Sequence, residues 1–173
     1  MISTPPDHWA NVHLSYHQIQ LRDPEEGGPA PVEGYGNGLI VVDDEPDGAT
    51  IFTGIAIGVV DVEVQLTDEP PGIDLDNWEE IVEVSIESTS GSLIVCGLDG
   101  DLPDLPNLAH HGEGFYRLRV HARGRDTDPD GTASTPLPFE HYLIIAWPAP
   151  YAPELAFKHT DAIGHQRRHP HLE

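Results

Sequence analysis

Val60-Asp61-Val62-Glu63-Val64-Gln65-Leu66 places four aliphatic side chains on one parity and two carboxylates and an amide on the other. A period of two means an extended strand with one buried face and one wet face, the pattern of antiparallel sheets. Val82, Val84 and Ile86 alternate with Glu83, Ser85 and Glu87 in the same way. So do Tyr116, Leu118, Val120 and Ala122 with Arg117, Arg119, His121 and Arg123. Stretches 39–42, 51–57, 93–96 and 143–147 are apolar on both parities and suit inner strands or strands covered by loops. Residues 12–21 change parity midway, because Val12, Leu14 and Tyr16 share a face that Ile19 and Leu21 do not. A bulge at His17-Gln18 reconciles the two halves.

Turn signals separate these runs: Glu26-Gly27-Gly28-Pro29, Glu45-Pro46-Asp47-Gly48, Glu69-Pro70-Pro71-Gly72, 97–106 and Asp128-Pro129-Asp130-Gly131. With 17 glycines and 17 prolines in 173 residues, long helices are disfavoured. The only helical hint is a turn at Asp74-Leu75-Asp76-Asn77, ahead of Trp78. The expected fold is all-β, a single antiparallel β-sandwich of about seven or eight strands. It occupies residues 12–147, after a lead-in over 1–11. The extension 148–173 opens on Pro148-Ala149-Pro150, whose prolines offer no N–H to a central ladder. It is expected to run over the surface and leave the domain, with disorder from residue 166 and Leu172-Glu173 resembling a cloning scar.

Charge is the second strong signal. The chain carries 30 acidic and 8 basic residues, a net −22 with histidines neutral. Residues 1–116 hold 23 of the acids and one cation, Arg22, whereas 117–173 hold seven of each. Such a surplus opposes contact with nucleic-acid phosphates and favours a basic protein partner, which it would steer into contact. The acids are interleaved with aliphatic residues at strand spacing, so they belong to a folded surface and not to an acidic tail. A single cysteine, Cys96, allows no internal disulfide and fits a reducing cytoplasm. No apolar run approaches the ~18–20 residues of a membrane span. The opening Met1-Ile2-Ser3-Thr4-Pro5-Pro6-Asp7 lacks the basic start and apolar stretch of a secretion signal.

Catalytic and cofactor patterns are weak. Asp126, Asp128 and Asp130 with Gly131 match the first half of a calcium loop, but the twelfth position is Leu137 where a bidentate glutamate belongs. This loop supports an alternative reading, a small-ligand or calcium-binding β-sandwich. Among the histidines, His13 and His17 flank one strand, and His110-His111 lie in a loop between strands. His121 sits among arginines, and His159, His165, His169 and His171 fall in the extension. None has the spacing of a familiar zinc site, and no nucleophile elbow occurs. No enzyme, metal or cofactor is therefore expected. Arg117, Arg119 and Arg123 project from one face, where acids such as Glu83, Glu87, Asp61 and Glu63 could pair with them across strands.

Leu14-Ser15-Tyr16-His17-Gln18-Ile19, then Gly38-Leu39-Ile40-Val41, then Gly112-Glu113-Gly114-Phe115-Tyr116-Arg117-Leu118, resemble the competence-protein-J-like (ComJ-like) family. The likeness in strand order runs over roughly 12–147. The Trp147-Pro148-Ala149-Pro150 continuation and the acidity depart from it and resemble uncharacterised actinobacterial proteins. The resemblance implies a small cytoplasmic inhibitor of a competence-associated DNA nuclease, or an immunity protein against a toxin. A nuclease cleft that attracts DNA is positive, so a carboxylate-bearing protein can occupy it. Two aromatic-acidic clusters are candidates for that contact: Asp43, Asp44, Glu45 and Asp47 beside Tyr35, and Asp74, Asp76, Glu79 and Glu80 around Trp78.

Overall fold

The computed structural model describes residues 8–26, 34–43, 48–98, 102–132 and 138–170. Their strands, in chain order, are β1 (His8–Leu14), β2 (Gln18–Arg22), β3 (Ile40–Asp43), β4 (Gly48–Phe52), β5 (Gly58–Leu66), β6 (Glu80–Ser88), β7 (Ile94–Gly97), β8 (Gly114–Arg123), β9 (His141–Pro148) and β10 (Leu155–His159). A short helix, α1 (Ala162–Arg168), follows. The fold is all-β in character, with more strands than the seven or eight expected. A large sheet has the order β1-β5-β9-β8-β6-β10 and a small one β3-β4-β2-β7. Val60, Val62 and Val64, Val82, Val84 and Ile86, and Leu118, Val120 and Ala122 all face one apolar cluster. Ile19 and Leu21 of β2, Ile51 of β4 and Val95 of β7 meet them from the small sheet.

Three expectations need correction. Residues 12–21 are not one bulged strand. Tyr16 and His17 take φ of 55° and 60°, and Gln18 N–H donates to the Ser15 carbonyl at 3.2 Å. This tight left-handed turn carries the chain from the large sheet to the small one, which is why the parity changes. Second, the sheets are not purely antiparallel. β9 lies between β5 and β8, and its pairing with β5 is parallel, Asp61 opposite His141 and Ala146 opposite Leu66. A parallel neighbour requires a long crossover, here everything from β6 through β8.

Third, the segment after Trp147 returns to the domain. Pro148 ends β9 opposite Tyr116, Pro150 and Pro153 stay out of the ladders, and β10 then pairs antiparallel with β6, with an irregularity between Ala156 and Lys158. Asp161 caps α1 by accepting from Gly164 N–H at 2.7 Å, and Asp126 accepts from Ala162 and Ile163 at 2.8 and 3.0 Å. The helix sits so close to the turn before β3 that a Cβ on Gly38, at φ 85°, would lie 2.8 Å from the Gly164 carbonyl. Among the doubly apolar runs, β4 and β9 are inner strands, whereas β3 and β7 form the two edges of the small sheet. Residues 74–77 form no helical turn. Asp74 instead accepts from the Asp76 backbone at 3.2 Å and the Asn77 side chain at 2.6 Å.

Candidate functional site

The outer face of the large sheet was expected to be wet, and most of it is covered. Arg117, Arg119 and His121 are buried, and on that parity of β8 only Phe115 and Arg123, near its two ends, are exposed. Glu83 opposes them on β6 and accepts from Arg117 Nε at 2.9 Å and Arg119 Nε at 3.0 Å. The rest of each guanidinium is met by carbonyls from the covering segments. Arg117 donates to Ala152 and Pro153, and Arg119 to Pro71 and Gly72. Beside them, Leu143, Ile145 and Trp147 of β9 form a second apolar patch roofed by Trp78. Lys158 of β10 donates to the Leu75 carbonyl and ties the 67–79 loop down.

His121 lies beneath Trp78, the rings 5.3 Å apart, with Nδ1 3.0 Å from the Leu143 carbonyl. Burial, helped by the charge of Arg119, pushes its pKa from 6.5 down to about 4. The unfolded chain therefore binds a proton below pH 6.5 that the folded chain refuses until about 4, and stability falls within that window. The expected loss is about 2 kcal/mol between pH 7 and 5. His121→Asn keeps a donor for Leu143 and removes the titration, so its urea-unfolding stability should decline less over the same range. Parallel decline in the two proteins would clear His121 of this role.

One end of this face remains open. Four adjacent strands bring Trp9 (β1), Asp61 and Glu63 (β5), His141 (β9) and Arg123 (β8) side by side, with Trp78 as the far wall, around a hollow of about 260 Å³. Trp9 is 62% exposed. Asp61 Oδ2 is 3.1 Å from His141 Nδ1, and its Oδ1 is shielded from solvent with no hydrogen-bond partner among the described residues. Arg123 stacks on Trp78, 4.8 Å from the ring centre. Beyond that stack a second hollow of about 430 Å³ is bordered by Asp76, Asn77, Glu79 and Lys158. Together the two hollows make one furrow with aromatic walls and a mostly acidic floor. The smaller hollow falls below the ~300–1,000 Å³ of typical small-molecule sites and matches one long side chain.

The expected contact residues are divided by the fold. Asp74 and Asp76 are exposed on the 67–79 loop, and the Asn77 side-chain hydrogen bond holds the Asp74 carboxyl below its usual range. Trp78 and Glu79 are half-buried at the furrow, where Glu79 also accepts from Gly124 N–H at 2.7 Å. Glu80 is inward and fully buried, held by Arg168 at 2.7 Å and by the Thr160 backbone at 2.6 Å. Asp43, far from this loop, forms an ion pair with buried Arg22. Asp44, Glu45 and Asp47 lie outside the described residues. Trp9 and His141 are not among the expected contact residues, and Asp61 and Glu63 are expected only as cross-strand partners of the arginines. The available signal was a tryptophan on the polar parity of β1, in a segment read as a lead-in. In the 126–131 loop, Asp126 caps α1 and Asp130 pairs with His17 at 3.2 Å, so two of its three carboxylates already have partners.

No family model and no curated protein matches the chain. Among solved structures, ComJ from Bacillus subtilis, described as an inhibitor of the DNA degrading activity of NucA, is 18% identical with a TM-score of 0.54. The match covers 86% of this chain and 99% of that one. A protein described as crocagin biosynthetic gene J is 16% identical, with a TM-score of 0.48 over 83% of this chain and 99% of its own. The likeness to ComJ is one of fold, and it extends the resemblance read from the strand motifs to their arrangement in space. No helix among the described residues is long and apolar enough to cross a membrane.

Proposed function

We propose that this chain is a non-enzymatic, cytoplasmic protein-binding module that occludes a basic nuclease or toxin, as an inhibitor or immunity protein does. The observation that carries this reading is where the cations go. Arg22, Arg117, Arg119 and Arg125, half of the eight basic residues, are buried. Of the other four, Lys158, Arg167 and Arg168 are half-buried and Arg123 is exposed. Four acids, Glu80, Glu83, Glu140 and Asp161, are buried with them, so the buried charges of the described residues cancel. The acidic surplus therefore belongs to the surface, where few cations remain to offset it; such a surface steers a cationic partner while repelling nucleic acid. The ComJ-like fold supports a nuclease as that partner. In this reading the furrow takes one arginine or lysine side chain between Trp9 and Trp78, its charge on Asp61 and Glu63. Asp74, Asp76 and Glu79 supply the rim.

The test begins with the immobilised chain and an extract of the source cells at low salt. DNA-degrading activity should be retained, released as salt rises, and abolished when free chain is added back at an equimolar amount. Trp9→Ala should leave thermal stability unchanged, because the side chain is mostly exposed, and raise the half-inhibitory concentration about 30-fold, as expected of an anchor worth ~2 kcal/mol. Asp74→Asn with Asp76→Asn should slow association and flatten its salt dependence. Retained nuclease activity that the free chain fails to inhibit would defeat the proposal. Inhibition indifferent to Trp9→Ala would remove the furrow from it.

A further inference from the structure

The opposite end of the large sheet carries a cluster that the partner-binding reading does not use. β5 ends at Leu66, so Thr67 and Asp68 follow it directly, and His110 and His111 precede β8. One nitrogen from each histidine and one Asp68 oxygen lie within 4.8 Å of one another. His111 Nε2 is 2.7 Å from Asp68 Oδ1, and His110 Nε2 is 2.9 Å from the Thr67 carbonyl. We infer that Asp68, His110 and His111, with the Thr67 carbonyl, form a binding site for a first-row divalent cation of the zinc type.

The strongest argument is the position of His110. Its Nδ1 is 3.0 Å from the Leu108 carbonyl while its Nε2 faces the Thr67 carbonyl. A neutral imidazole has one N–H, so only one of those carbonyls can receive it. With the proton on Nδ1 and donated to Leu108, the Nε2 lone pair points at the lone pairs of Thr67. A cation bound by both atoms, to one side of the 2.9 Å line that joins them, turns that opposition into two coordination bonds. A backbone carbonyl holding the second nitrogen is also the usual way a ligating histidine is oriented.

The spacings suit an ion of this size. In a tetrahedral shell, ligands ~2.1 Å from one centre lie ~3.4 Å apart. The two short pairs, at 2.7 and 2.9 Å, open by about half an ångström and a separation at the 4.8 Å limit closes by about 1.4 Å, and His111 and Asp68, with side chains 50% and 80% exposed, are free to make these adjustments. The loop behind them is fixed. Tyr116 Oη accepts from His111 N–H at 2.8 Å and donates to the Gly112 carbonyl at 2.7 Å, and Asn107 accepts from Leu93 and Ala109 N–H. Two imidazoles with one carboxylate select zinc, cobalt or nickel over calcium and magnesium, which prefer all-oxygen shells.

Calorimetric titration of the full chain with zinc chloride tests the site. The competing histidines are His165 of α1 and His169, which caps its C-terminus, their rings 4.8 Å apart. The expected result is one zinc ion bound per chain, with affinity lowered at least 10-fold by Asp68→Asn or His111→Gln and unchanged by His165→Gln with His169→Gln. Both cluster substitutions are at exposed side chains, and the metal-free melting temperature checks that the fold is kept. Cobalt absorption bands lost in His110→Gln would confirm imidazole coordination at this loop. Absence of micromolar binding, or binding that disappears only with the His165 and His169 pair, would overturn the assignment.

Discussion

Replacing Arg125 with methionine should destabilise the domain by about 3–5 kcal/mol, a large part of the ~5–15 kcal/mol that holds a typical domain together. Arg125 is 0% exposed. Its Nε and one terminal nitrogen grip Asp161 at 2.7 and 2.8 Å, and the other terminal nitrogen donates to the Gly38 and Phe52 carbonyls at 2.8 and 3.1 Å. Glu80 is 3.5 Å away and is itself held by Arg168. One side chain thus joins the end of β8 to the turn before β3, the end of β4 and the cap of α1. Methionine fills the volume but leaves Asp161 as a buried charge without its cation, and a charge stripped of its partner costs more than the pair contributed. Urea unfolding should report the loss, and amide exchange should accelerate across 155–168. Adding Asp161→Asn should recover part of it, because asparagine still caps the helix and carries no charge. A cost below about 1 kcal/mol for Arg125→Met would mean that the C-terminal segment is held by other contacts.

Glu83→Ala should have an effect of the same size through the opposite sign of charge. Arg117 and Arg119 would both stay buried with no carboxylate between them, and about 3–5 kcal/mol should be lost. Glu83→Gln keeps one acceptor and should cost less, about 1.5–3 kcal/mol for the charge-assisted bonds given up. The damage should spread to the covering segments, since the 149–154 stretch is held to β8 through Arg117 and the 67–79 loop through Arg119. Limited proteolysis within both segments, alongside urea unfolding, would read this out. Cleavage confined to one of them would show that the two arginines act separately.

Both substitutions concern residues whose environment the sequence conceals. The apolar parities of β5, β6 and β8 were readable, and every residue named from them is in the core except Leu66, which packs half-buried against it. The polar parity of β8 looked equally plain and was misleading. Charged residues at alternate positions suggest water, but here they meet carbonyls. Proline supplies the link: a segment such as 148–153 has few N–H groups for a ladder, yet its carbonyls still accept. Ala152 and Pro153 bind Arg117 for that reason, and Pro71 binds Arg119. The left-handed pair Tyr16-His17 and the parallel seating of β9 depend on long-range packing that local spacing does not encode. At the furrow, Asp76, Trp78 and Glu79 were legible as an aromatic among acids. Trp9, Asp61, Glu63 and His141 come together only because four strands align in one register, across up to 132 positions of chain from Trp9 to His141.

The parallel seating of β9 also dictates when the molecule can become whole. During synthesis the first 116 residues emerge with 23 acids and a single cation, and the arginines that Glu83 and Glu80 need follow only later. Until β9 is made, β1-β5 and β8-β6 are two separate strand pairs with no shared edge. The strand that joins them follows all four in sequence and must enter between the two pairs, closing loops on both sides at once. The large sheet and the ion pairs of Glu83 and Glu80 are therefore completed by the same part of the chain, from residue 117 onward.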